Sequence, residues 1–290
     1  MPPYVPPQRN SRIPVVLKES EFNEYILPYL PIKKRGRPVS LPYFKIFRYI
    51  MTFLYTGCQW HMLPIDKNKD GTPEIHYTSI FKQFKEWVVS TAILQIFENS
   101  VMKLHKHGLL DFSVIHGDGT TTVAKKGGDG LGFSGHKHMK SEKIVAFSDR
   151  KCNVISPMIT AAGNRNECPL FPEAFDFLKN MLKKLGISCN RIIISMDGVY
   201  DSKENIKKIF NSRMIPNIPE NKRNRKKTKR GKKRMFDEAI YDERFRTIER
   251  VFAWEDKFKR LLMRFEHISL HHFGLKLLAY TMINLRHFCC

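Results

Sequence analysis

The sequence predicts an α/β protein, a mixed sheet flanked by helices, preceded by a smaller and wholly helical N-terminal part. Three observations carry this. Up to about residue 108 the apolar residues recur at helical spacing, while from Leu109 onward short β-branched runs appear. Those runs come first as successive strands and then alternate with amphipathic stretches, the pattern of a mixed sheet with helices against it. A chain of 290 residues suits two units, one of them small.

Residues 1–19 read as an extended arm, because Pro2, Pro3, Pro6, Pro7 and Pro14 block helix. A short helical pattern covers 20–31. Arg35 and Arg37 sit in a basic turn, and Ser40 is placed to cap a helix carrying Phe44, Phe47, Ile50, Met51 and Leu54 that stops at Gly57. Two further helical patterns follow, one with Ile80, Phe81, Phe84 and Trp87, the other with Ile93, Leu94, Phe97, Val101 and Leu104. Short helices joined by tight turns in a basic segment suggest a helix-turn-helix-like domain over 1–108, and 109–290 forms the second domain.

In that second part, strands are expected at 112–115, 143–147, 154–160, 191–196 and 214–218. An amphipathic helix at 169–185 presents Phe171, Phe175, Leu178, Met181 and Leu182 on one face, and Ser202 opens a short helix to Phe210. Residues 237–265 and 270–288 read as helical. No internal repeat is found.

Lys and Arg number 50 against 28 Asp and Glu, a net charge of +22, yet 42% of residues are hydrophobic. That apolar content excludes a disordered basic tail and implies a folded protein with a polyanionic partner. No stretch has the apolar length of a membrane span, and the N-terminus has no apolar signal core, so the expected partner is nucleic acid and the expected place the compartment of synthesis. Residues 222–234 hold ten basic side chains in thirteen positions, among them Lys226, Lys229 and Arg230, a block suited to phosphate contact or simply to solvent. The six cysteines lack Cys-x-x-Cys spacing and read as reduced thiols. His136 and His138, and His267, His271 and His272, have no cysteine partners nearby and read as polar surface or DNA-backbone residues rather than zinc ligands. Arg35-Gly36-Arg37-Pro38 also has the shape of a minor-groove hook.

Two aspartates stand where a strand meets glycine. Asp118 follows Val114 and Ile115 and lies between Gly117 and Gly119, while Asp197 follows a run of three isoleucines and precedes Gly198. Such a strand fixes the backbone, and the glycines are expected to leave a ligand room to approach. Glu249 lies in a helical pattern with Tyr241, Phe245, Ile248 and Phe252, beside that stripe rather than opposite it. Three convergent carboxylates need a cation, and hard oxygen donors select Mg²⁺ or Mn²⁺. A pair of such ions suits in-line phosphoryl displacement. Spacing alone leaves Asp111, Asp129, Asp149, Asp201 and Glu255 in competition.

Two motifs narrow the choice. Thr56-Gly57-Cys58-Gln59-Trp60 followed by Leu63-Pro64 resembles the N-terminal TGCQW signature of bacterial insertion-sequence transposases of the DDE type, and Tyr241 through Trp254 resembles their Tyr, Arg, Glu, Lys box. The resemblance runs from about residue 37 to the C-terminus. It implies a ribonuclease H-like catalytic fold with Asp118, Asp197 and Glu249 as catalytic acids and ligands of two Mg²⁺ or Mn²⁺ ions. Tyr241 and Arg244 stand one residue further from Glu249 than the family's Tyr and Arg, and Lys257 one residue further than its Lys; these three, with Arg35, Arg37, Lys226, Lys229 and Arg230, are the DNA-binding candidates. The first aspartate sits in Asp-Gly-Thr where Asp-Ser-Thr is common.

What the resemblance implies is cleavage at the ends of an insertion sequence and transfer of the freed 3′-hydroxyls into target DNA. The implied partners are double-stranded DNA, as terminal inverted repeats and target, and a second copy of the chain in a homodimer that synapses two ends. The implied location is the bacterial cytoplasm, at the nucleoid. Two alternatives are a catalytically silent DNA-binding protein derived from such an enzyme and a nuclease that cuts without joining.

Overall fold

A computed structural model of the chain describes residues 13–31, 41–221 and 235–289. Arg35 and Arg37, the capping role expected of Ser40, and Lys226, Lys229 and Arg230 lie outside the described residues. The described chain resolves into two compact units. One comprises Val101–Thr121 and Gly130–Ala253; the other comprises Asn10–Ser100, Thr122–Asp129 and Trp254–Cys290. The expected division at residue 108 therefore differs from the grouping of contacts, because the C-terminal segment packs with the N-terminal helices.

The first unit is built on a sheet of strands β1 (Val114–Val123), β2 (Gly132–Ser134), β3 (Met139–Asp149), β4 (Ile159–Ala162), β5 (Ile193–Ser195) and β6 (Ile215–Asn217). Their order is β2-β3-β1-β5-β6, with β4 pairing β3 off this path. β2 and β4 run antiparallel to β3, whereas β1–β5 and β5–β6 are parallel. The mixed sheet expected from the sequence is thus present. Strand β1 is longer than expected and continues through Asp118, since Thr120, Thr121 and Thr122 are β-branched and favour extended backbone. β2 was not foreseen: only three residues long, it has too little alternation to read.

Helix α5 (Phe171–Lys184) buries Phe171, Phe175, Leu178, Met181 and Leu182, the face anticipated, and packs on β3. α6 (Lys203–Asn211) starts at Ser202, whose hydroxyl accepts from the Asn205 amide at 3.1 Å. The helical reading of 237–265 is corrected. It breaks into α7 (Glu238–Asp242), a 3₁₀ turn (Glu243–Arg246), α8 (Ile248–Glu255) and a further 3₁₀ turn (Lys259–Leu261). The break lies at Thr247, with φ −118° and ψ −91°, whose hydroxyl bonds the Glu243 carbonyl. As a result Ile240, Arg244, Ile248 and Val251 face inward, while Phe245 is exposed.

The second unit holds α1 (Glu19–Tyr25), α2 (Tyr43–Thr56), α3 (Tyr77–Val89), most of α4 (Ala92–Lys106) and α9 (Ser269–Leu285). α2 begins after Pro42 and ends, as expected, at Gly57, which takes the left-handed φ of 73°. That glycine is needed twice over, because a Cβ there would also stand 3.0 Å from the Lys259 Cβ. Trp60 stacks on Phe53 at 3.7 Å, and the Arg260 guanidinium covers the Phe53 ring at 4.5 Å. The Thr-Gly-Cys-Gln-Trp motif therefore has a packing role inside this unit.

Arg260, Glu266 and His272 form a buried polar cluster here, with Arg260 Nε donating to Glu266 at 2.8 Å. Burial alone would push the Glu266 carboxyl up, but His272 and Arg260 hold it down at about 2. His271 and His272 are buried on α9, which corrects their reading as surface residues: the helix turns them toward aromatic and acidic neighbours. His136 and His138 are exposed. The cysteines among the described residues are all free, and no helix among those residues is long and apolar enough to cross a membrane.

Candidate active site

The parallel pairing of β1 and β5 sets Val114 opposite Ile193, Ile115 opposite Ile194 and His116 opposite Ser195. Continuing that register two residues past the last pair sets Asp118, within β1, level with Asp197, which opens the turn after β5. Adjacent strands lie about 4.8 Å apart, so two carboxylates separated widely in sequence come to one place. Asp197 lies just past the C-terminal end of β5, the edge of a parallel sheet where α/β folds place ligands, while Asp118 lies within β1.

Each aspartate has a partner from the broken helical segment. The Arg244 Nη2 donates to Asp118 Oδ2 at 2.5 Å, and the Tyr241 hydroxyl donates to Asp197 Oδ1 at 3.3 Å. Arg244 also lies over the Tyr241 ring at 5.1 Å, so the two residues form one lid of side chains over the acids. Tyr241 and Arg244, the residues expected to meet DNA, contact the two aspartates here, because the turn at 243–246 points Arg244 inward. Arg244 is buried, and its Nε has no hydrogen-bond partner.

Burial pushes the Asp118 carboxyl up to about 7, against the pull of Arg244 and the Gly119 amide, and the charges of Glu249 and Glu167 add to the rise. Glu249 thus acts electrostatically on Asp118, although it is exposed in the first turn of α8. Asp197 Oδ1 also accepts from the Gly198 amide at 2.5 Å, which caps a short 3₁₀ turn ending at Tyr200. Lys257 is exposed in the other unit.

The flanking glycines serve a purpose other than the one expected. A Cβ on Gly117 would meet the Phe147 ring at 2.5 Å and the Met196 methyl at 2.9 Å, and one on Gly119 would meet Glu167 Oε2 at 2.8 Å. The space over these two glycines, on the sheet face opposite the Asp118 side chain, is filled by the protein's own side chains. On the face of Asp118, His116 is wholly buried with its Nε2 3.4 Å from Glu243, and Arg150 grips the same Glu243 with two nitrogens. Burial lowers the His116 imidazole's affinity for a proton. Burial would also raise the Glu243 carboxyl, but the Arg150 hydrogen bonds and the neighbouring His116 hold it at about 2.

The competing acids all have structural partners. Asp111 and Asp149 accept turn amides, with the Asp111 amide 3.0 Å from Asp149. Asp129 pairs with Arg264 at 2.8 Å, Asp201 accepts the Asn221 amide at 3.0 Å, and Glu255 forms a buried ion pair with Lys276. Sequence reading missed Glu167 and Tyr200. The only signal for Tyr200 was its place one short turn after Asp197; Glu167 looks like an ordinary acid ahead of a proline-led helix.

A mixed α/β sheet with one carboxylate within a strand and a second in the turn just past its parallel neighbour has the layout of an acid-centred α/β protein. Residues 102–282 match the family model described as the transposase DDE domain, well over half of the chain, and the chain belongs to that family. Similar solved structures are a Mos1 transposase paired-end complex with the left transposon end and a pre-cleavage Mos1 transpososome. The first is 11% identical with a TM-score of 0.27, covering 64% of this chain and 61% of that one. The second is 11% identical with a TM-score of 0.30, covering 87% of this chain and 80% of that one. The chain thus spans less than two thirds of the first. No curated protein matches it.

Proposed function

We propose that this chain is the transposase of a bacterial insertion sequence, cutting DNA at the element's ends and joining the freed 3′-hydroxyls to target DNA. The observation that supports the reading is that the register of β1 and β5, continued two residues, sets Asp118 within β1 level with Asp197 in the turn after β5. Its catalytic acids are Asp118, Asp197 and Glu249.

The donor set fits a hard divalent cation by its chemistry. Burial and two neighbouring acids disfavour charge on Asp118, so the pocket gains from added positive charge. As they stand, no three His, Cys, Asp or Glu side chains among the described residues form a metal-holding group, and Arg244 engages Asp118. Asp118, Asp197 and Glu249 would hold Mg²⁺ or Mn²⁺, two ions in all, on release of that contact. Bound there, such ions activate the attacking oxygen and stabilise the departing one.

The chain's own residues do the rest. Arg244 neutralises Asp118 and keeps the pocket from charging in the absence of DNA. Freed from the carboxylate, its guanidinium is the right shape for a phosphate, and Tyr241 beside it supplies a hydroxyl and a ring. The basic tract with Lys226, Lys229 and Arg230, the basic segment with Arg35 and Arg37, and Lys257 bind the backbone of the terminal repeats and target. The N-terminal helices within 1–108 serve as the DNA-binding domain, helix-turn-helix-like, and 109–290 as the ribonuclease H-like catalytic domain. Synapsis of two ends requires a homodimer, and the working location is the cytoplasm at the nucleoid.

A cleavage and strand-transfer assay on duplexes carrying the element's terminal repeats tests this. D118N, D197N and E249Q are each expected to lose about a thousandfold or more in rate while still binding DNA, the loss of several kcal/mol of transition-state stabilisation. Undiminished activity in D197N would sink the reading. Cutting without joining supports the nuclease alternative, and binding without either supports the silent DNA-binding protein.

A further inference from the structure

A second set of contacts holds the turn that carries Arg244. His116 and Asp118 are two residues apart on β1 and so share a face. They meet consecutive residues of the 3₁₀ turn Glu243–Arg246: His116 Nε2 stands 3.4 Å from the Glu243 carboxylate, and the Arg244 guanidinium pairs with Asp118 at 2.5 Å. Neighbouring Cα atoms are about 3.8 Å apart, so whatever fixes Glu243 also fixes where the Arg244 side chain starts.

Glu243 is fixed from the loop that follows β3. Arg150 donates its Nε to Glu243 Oε2 at 2.8 Å and its Nη2 to Oε1, while its Nη1 donates to the Ser113 hydroxyl at 3.4 Å. Two residues on, the buried Cys152 thiol donates to the Arg246 carbonyl at 3.3 Å. One loop thus holds the turn at its first and last residues, with Arg244 between them. Arg150 and Glu243 are 7% and 12% exposed, and a buried ion pair often contributes no more stability than an apolar pair of the same volume. What a two-pronged guanidinium–carboxylate contact does supply is direction as well as distance.

We propose that Arg150 is a positioning residue: by gripping Glu243 it sets Arg244 at Asp118, and it aims the same guanidinium at a DNA phosphate once that contact is released. The second half rests on the function proposed above; the first stands on the contacts alone. Arg150 acts through Glu243 and Arg244 rather than on DNA. With the grip lost, the turn keeps the bond from the Thr247 hydroxyl to the Glu243 carbonyl, but the Arg244 side chain no longer starts from one fixed place.

The test uses the purified full-length chain and two readouts: urea unfolding of R150M, R244M and the double variant, and cleavage rate with duplex affinity on terminal-repeat DNA. In unfolding, the shift that R244M causes in the equilibrium constant is expected to be smaller by about threefold or more when Arg150 is already gone. The sign is decisive, because direct repulsion between two arginines would instead make Arg244 more valuable once Arg150 is removed. R150M is also expected to slow cleavage by about 10- to 100-fold, the scale of a small misplacement, with duplex affinity little changed, and R150K to recover part of the rate. Should R150M fail to fold, R150K carries the same cycle, with a smaller effect in the same direction. Costs that add, or an R244M cost that grows without Arg150, overturn the proposal. A lowered urea midpoint with an unchanged cleavage rate makes the grip merely structural and overturns it too. A wild-type chain that neither cuts nor joins the duplex overturns the function proposed above, and the unfolding cycle then still decides whether Arg150 sets Arg244.

Discussion

Arg244 and Asp118 are 5% and 13% exposed, so their ion pair is a buried one. Removing the guanidinium leaves Asp118 facing Glu249 and Glu167 with only the Gly119 amide to offset them. R244M, which keeps much of the volume, is expected to cost about 3 kcal/mol, read as a lower urea midpoint with unchanged slope. R244M combined with D118N is expected to recover part of that loss, since the second change removes the stranded charge. Equal stability of R244M and wild type would show that the pair contributes nothing. Asp118 and Asp197 were legible as residues because each ends or interrupts a β-branched run beside glycine. Arg244 was legible as a basic residue of the box, but its direction was not: an inward arginine and an outward one look alike in a list of charges.

Strand β1 depends on Gly117 as much as on its apolar residues. A Cβ there would sit 2.5 Å from Phe147 Cε1, a ring held in the core on β3. G117A is therefore expected to destabilise by about 1–3 kcal/mol through overpacking, seen as a lower thermal midpoint. A neutral G117A would mean that Phe147 has room to turn. Helices α2 to α5 were readable from periodicity, as were the approximate positions of β5 and β6. The segment after Asp237 was not. Its spacing fits one helix, yet Thr247 breaks it, and the side chains that face the acids are decided by that break.

Charge is the property of the chain as a whole. With a net +22, duplex binding should fall steeply with salt. If six to ten phosphates are contacted, affinity is expected to drop by about 10³ to 10⁵ between about 50 and 200 mM salt in a filter-binding or anisotropy titration. A flat salt response would argue against a phosphate-tracking surface and so against DNA as the partner. The grouping of residues 254–290 with the N-terminal helices was not legible. Local patterns show that α9 is apolar on all sides, with buried residues along nearly its whole length, but an apolar helix carries no address for the elements that will cover it.

By itself the sequence determined the α/β class and the kinship with the transposase DDE domain, and it singled out a high positive charge and two aspartates beside glycine. Those depend on composition and on neighbours a few residues apart, which a chain displays without folding. Tertiary structure alone decided that Arg244 and Tyr241 close over the aspartates, that Gly119 makes way for Glu167, and which helices the C-terminal segment joins. Each is a contact between residues far apart in the chain, fixed by strand register and by the break at Thr247, and no local preference encodes it.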